Sequence, residues 1–155
     1  MTTSSAAIRD ATNALLRDMA DWTHTATLTF KPYSKKFGVR LTDSIAQSAV
    51  EYFLARLNGE VFRHGARRKR YRVASVVSFG KGAYGCHPHV HLILASPPQE
   101  SFQSFDERLR RLSKLNYWIA EQADFQPYVG SRWLEYMADP FKHSILWDLC
   151  HQAKH

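Results

Sequence analysis

The chain has 155 residues, with 45% hydrophobic and 23% charged, the size and composition of one globular domain with a real core. Disordered, collagen-like and low-complexity readings are excluded, and no run approaches the ~20 apolar residues of a membrane span. The net charge is +7, and the first ten residues, MTTSSAAIRD, have neither the basic nor the apolar part of a secretory signal, so a cytoplasmic protein is expected.

Residues 6–20 predict a helix capped by Ser5, with Ile8, Ala11, Leu15 and Met19 on one face. The β-branched run TATLTF over residues 25–30 predicts a strand ended by Pro32. Residues 43–62 predict a long helix with Thr42 before it and Ala46, Ala49, Val50, Phe53, Leu57 and Val61 at helical spacing. Strands are predicted over 70–79 and 87–95, and the short link between them suits an antiparallel hairpin. Ser104 and Glu107 read as a capping box, opening a helix with Phe105, Leu109, Leu112 and Ile119 on its apolar face. A short strand over 125–129 and a helix over 131–138, stopped by Pro140, complete the order.

This order predicts an α+β fold, a ferredoxin-like antiparallel sheet of four or five strands with helices packed mainly on one face. The whole chain reads as one domain, with residues 1–22 as an N-terminal helical extension and 139–155 as a C-terminal tail.

The charge is segregated. Between Lys31 and Lys81 stand 12 basic residues against three acids, and Arg63, Arg67, Arg68, Lys69, Arg70 and Arg72 crowd into ten positions. Such a segment holds phosphates by releasing condensed counterions, without reading sequence. Together with Lys31, Lys35 and Lys36, these residues are the expected nucleic-acid contacts; the bland alternative is a solvated loop.

The string His87-Pro-His89-Val-His91-Leu-Ile-Leu is the most informative in the chain. Alternate residues of a strand share a face, so His89 and His91 project together and can grip one divalent cation. His87 lies about 13 Å from His91 along an extended strand, which leaves it a supporting or phosphate contact. Two other features carry plainer readings. Trp118 and Trp133 suit a core, and Tyr136 beside Trp133 and Met137 suits a packing helix. Tyr84, in the glycine-bearing hairpin, is the expected base-stacking ring.

In their order, the TLTF strand, the His89-Val90-His91 motif and the helix within GSRWLEYMADPFK resemble the HUH endonucleases, the Rep and relaxase superfamily. The resemblance covers roughly residues 25–149 and puts Tyr136 at the nucleophile position. It implies that His89 and His91 hold Mg²⁺ or Mn²⁺ against the scissile phosphate of single-stranded DNA. It also implies that Tyr136 forms a 5′-phosphotyrosine link, initiating rolling-circle replication of a plasmid, phage or other mobile element. A phenol is a weak nucleophile until it loses its proton, so the cation or a nearby base must assist.

Two positions depart from the family pattern. The neighbouring strand offers Ser78 where an acidic ligand is usual, so water or a group from elsewhere must complete the set. The lysine expected one turn after the tyrosine is replaced by Asp139 and Pro140, and the first lysine available is Lys142. The expected partners are single-stranded DNA at an origin or hairpin and a host helicase, with no membrane. The runner-up readings are a histidine-triad nucleotide hydrolase or transferase and a degenerate single-strand-binding module. Against the former, 64 residues follow His91, whereas that family carries its triad near the C-terminus.

Overall fold

The computed structural model describes residues 4–80, 88–130, 132–140 and 143–152. Four predicted strands form close to their expected places: β1 (His24–Thr29), β4 (Ser75–Gly80), β5 (His89–Leu94) and β6 (Asp124–Pro127). Between β1 and β4 lie a two-stranded arm, β2 (Tyr33–Ser34) with β3 (Val39–Arg40), and two helices, α2 (Asp43–Phe62) and α3 (His64–Arg68). The remaining elements are α1 (Ser5–Arg17), α4 (Phe102–Leu115), α5 (Arg132–Met137) and β7 (His143–Ile145).

The main sheet has the order β6-β1-β5-β4-β7, and every neighbouring pair is antiparallel. The fold is α+β, and its core β1-α2-β4-β5-α4-β6 is consistent with a ferredoxin-like arrangement. β7 adds a fifth strand beyond β4, so the expected tail contributes an edge of the sheet.

One face carries Ala26, Leu28, Val77, Val90, Leu92 and Leu94, buried against α2 and α4 through Phe53, Leu57, Phe105 and Leu109. Truncating a fully buried ring such as Phe105 to Ala costs about 3–5 kcal/mol. The opposite face is also covered, which corrects the expectation of helices mainly on one side. Val76 and Ile93 point there, and Leu16 of α1 with Leu134 and Met137 of α5 closes over them. The reason is written in Val76-Val77 and Leu92-Ile93-Leu94: a strand apolar on both faces needs a cover on both. α1 is therefore part of the fold's second core rather than an extension.

Helix ends differ from expectation where a second cap competes. Ser4, not Ser5, accepts the Ala7 N–H at 3.2 Å. Ser101 caps α4 by accepting from Ser104 N at 3.1 Å, one turn earlier than the box at Ser104. Ser104 Oγ instead donates to Glu100. The helix then stops at Leu115, and Ile119 pairs as a bridge with Phe30. β4 starts at Ser75 rather than residue 70, because the segment before it is held as a turn. Tyr71 N bonds Gly65 O, Arg72 donates to Ala66 O and Tyr71 O, and Arg63 and Arg70 take positive φ. No helix among the described residues is long and apolar enough to cross a membrane.

Candidate metal centre

The register brings three strand ends together at one pole of the sheet. β5 begins with His89, which faces Thr29 of β1 on one side and Gly80 of β4 on the other. Gly80 in turn faces His143, the first residue of β7. One row deeper on the same face stand Thr27, His91 and Ser78. His89, His91 and His143 each offer one ring nitrogen, and the three nitrogens lie within 4.8 Å of one another. They are close enough to bind one metal ion.

Gly80 is what lets this happen. A Cβ there would meet His89 Nε2 at 2.2 Å, so only glycine leaves room for the imidazole to lie across β4. The backbone needs no special angle at this position; the requirement is close approach.

His91 is the best-defined member. Its Nδ1 lies 3.1 Å from Thr27 Oγ1, which fixes the ring, and its Nε2 is buried with no hydrogen-bond partner. A buried, unsatisfied ring nitrogen is costly unless something else takes its lone pair. Burial, with smaller contributions from His89 and His143, pushes the His91 pKa down to about 3. The ring is therefore neutral at neutral pH, the state in which imidazole ligates metal. With Thr27 holding the other nitrogen, the donor set fits an ion.

Tyr136 of α5 stands over this cluster, 42% exposed. Its ring centroid is 4.3 Å from that of His143 and 5.4 Å from that of His91. Trp133, one turn earlier, packs against His91 and Tyr136 and joins the second core. Three imidazoles close enough for one metal ion, with a phenol ring packed beside them, are groups that metal-assisted chemistry uses.

Among the residues singled out from sequence, His89, His91 and Tyr136 come together. Ser78 lies opposite His91, fully buried with an unpartnered Oγ, and stands beside the three-histidine group rather than in it. His87, Tyr84 and Lys142 lie outside the described residues.

The basic residues divide. Lys31, Lys35 and Lys36 are exposed just beyond the end of β1, at the histidine pole. Arg63, Arg67, Arg68, Lys69 and Arg70 are exposed before β4, at the opposite pole, and Arg72 is half-buried on carbonyls. Five steps of β4 at ~3.3 Å each put the two poles roughly 17 Å apart along the strand.

His143 was missed in the sequence because a three-residue strand after Pro140 carries almost no pattern. The only signals were the alternation of His143 and Ile145 and the absence of a third ligand on β4. The chain matches no protein-family model, no curated protein and no solved structure.

Proposed function

We propose that this chain is an HUH-type endonuclease that nicks and transfers single-stranded DNA through Tyr136, in the initiation of rolling-circle replication. The observation that carries this reading is the placement of the Tyr136 ring over the convergent histidines 89, 91 and 143. His143 fills the position for which the neighbouring strand offered only Ser78. His89, His91 and His143 would hold the divalent ion, which when bound supplies Lewis-acid polarisation of a phosphate. An all-imidazole set favours Mn²⁺ over the oxygen-seeking Mg²⁺.

In this reading Tyr136 Oη attacks phosphorus, and the bond to the 3′-oxygen breaks in line. The phenolic proton passes to solvent or a nearby base, and the departing oxygen is protonated to a 3′-hydroxyl. The 5′-phosphotyrosine keeps the bond energy for rejoining the strand to a later hydroxyl. Tyr136 is 42% exposed, so a strand could reach its side chain, while Trp133 and His143 pack against the ring.

The test is a denaturing gel of the full chain with labelled random-sequence single strands, in Mn²⁺ or in chelator. The expected result is a metal-dependent covalent adduct that disappears in Tyr136→Phe while strand affinity is retained. A Tyr136→Phe protein that still became linked to DNA would remove this mechanism.

A further inference from the structure

The β2–β3 arm leaves the sheet just past Thr29 and turns apolar rings outward. Tyr33, Phe37 and Tyr117 are 48%, 57% and 37% exposed. Exposed rings clustered in this way are unusual for a surface that meets only water. The arm is also held in shape. Ser34 is buried, its Oγ accepts from Phe37 N at 3.0 Å, and it lies 2.8 Å from Tyr117 Oη. Phe37 meets the Tyr117 ring edge-on at 5.4 Å, and Lys31 N donates to Trp118 O at 2.9 Å. Gly38, at φ 64°, makes the turn.

The electrostatics select the occupant. From Lys31 to Leu41 there are four cations and no acid. Lys31 Nζ sits 4.4 Å from the Tyr117 centroid, and Lys36 Nζ 5.3 Å from that of Phe37. Beside Lys31 and Tyr117 opens a cleft of about 890 Å³ whose other charged lining is Arg110, Lys114 and Glu121, so cations outnumber acids three to one. An apolar protein partner would leave these ammonium groups unpaired, whereas a polyanion with flat rings satisfies both features. In a duplex the base faces are already stacked, so the rings require unpaired bases.

We propose that the β2–β3 arm and Tyr117 form a stacking platform for unpaired bases of a nucleic-acid strand, with Lys31, Lys35, Lys36 and Arg40 taking its phosphates. That the strand is DNA rests on the nuclease reading above; the platform itself does not need metal. A base arriving on an exposed ring displaces the lysine from above it, and the freed ammonium meets the adjoining phosphate. The strand is thereby gripped where β1 ends, beside the histidine pole.

Fluorescence polarisation tests this with the full chain in chelator, using a labelled oligothymidylate of about twelve nucleotides and an abasic strand of equal length. The wild-type protein binds the oligothymidylate about tenfold more tightly than the abasic strand. Phe37→Ala loses most of that preference while its affinity for the abasic strand is unchanged, and Phe37→Trp restores it. Because Phe37 is exposed, its truncation leaves the fold intact, and a matching melting temperature checks this. Equal binding of both strands by the wild type, or an undiminished preference in Phe37→Ala, overturns the platform. Base-dependent binding without any Mn²⁺-dependent adduct upholds the platform and removes the nuclease; an adduct without base preference does the reverse.

Discussion

The two ends of the five-stranded sheet carry the same sign of charge in different company. At one end, Lys31, Lys35 and Lys36 stand among exposed aromatic rings, past the end of β1 that pairs with His89. At the other, Arg63, Arg67, Arg68, Lys69 and Arg70 are exposed along α3 and the turn after it, where Lys69 Nζ stands 5.7 Å from the Tyr71 centroid. The 20 residues of α2 join the two, a span of about 30 Å. Density of charge along the sequence picks out the arginine end, whereas position in the fold picks out the lysine end. Under the proposed function a cation contributes to the reaction only if it reaches the same stretch of strand, which would favour the lysine pole. In that reading the arginine pole would hold a distant part of a long strand.

The largest effect distinguishing the poles lies in the histidines. His143→Ala should abolish adduct formation as completely as His91→Ala, and each should lower Mn²⁺ affinity by more than 100-fold in a calorimetric titration. Gly80→Ala tests the same geometry without removing a ligand. Its methyl group would collide with the His89 ring, and metal affinity should fall by about 10- to 100-fold with secondary structure preserved. An unchanged His143→Ala titration would take β7 out of the site.

Sequence carried the frame of this site and not its closure. Thr27-Leu28-Thr29 and His89-Val90-His91 alternate cleanly, so the strands and the faces of their histidines could be read directly. The long helix at residues 43–62 was equally legible, because Thr42 caps it and seven of its residues are buried at helical spacing. His143 was not legible, since its strand has three residues and its position depends on pairing with Gly80, 63 residues earlier. The second core escaped for a related reason. Leu16, Val76, Ile93, Leu134 and Met137 are scattered across four elements, and only the tertiary fold shows that they meet. The placement of the arginine turn was likewise hidden, because charge density says nothing about which end of a strand a loop adjoins.

A smaller effect separates the two basic segments. Changing Arg67, Arg68 and Arg70 together to Gln should weaken a strand of roughly six nucleotides less than a long one, because the short strand covers less of the surface between the poles. On a long strand the same change should reduce the slope of log K against log salt by up to about two, at ~0.7 per lost phosphate contact. Lys31, Lys35 and Lys36 changed to Gln should weaken both strands. If the arginine variant weakened the short strand equally, the two poles would be acting on one segment of DNA.

The smallest effect concerns a histidine at the arginine end. His24 begins β1 as His91 lies within β5, and both are buried with depressed pKa values. Their surroundings differ: His24 stacks on Phe102 at 4.0 Å, its Nδ1 is 2.7 Å from Thr23 Oγ1, and its Nε2 stands 3.9 Å from Asp106. Burial lowers the His24 pKa more than the Asp106 carboxylate raises it, so the folded protein keeps the ring neutral below the ordinary value of 6.5. As pH falls through 6.5, the unfolded chain gains a proton that the folded chain refuses, and stability falls with it. The wild-type protein should therefore melt lower at pH 5 than at pH 7, and His24→Phe should narrow that gap. Each kcal/mol of linkage removed corresponds to about 2–4 °C for a chain of this size. Held in chelator, both proteins share whatever His91 contributes, so the difference between their gaps belongs to His24. An identical gap in the two would mean that Asp106 offsets the burial, and that the closed end of the sheet accommodates an imidazolium as readily as water does.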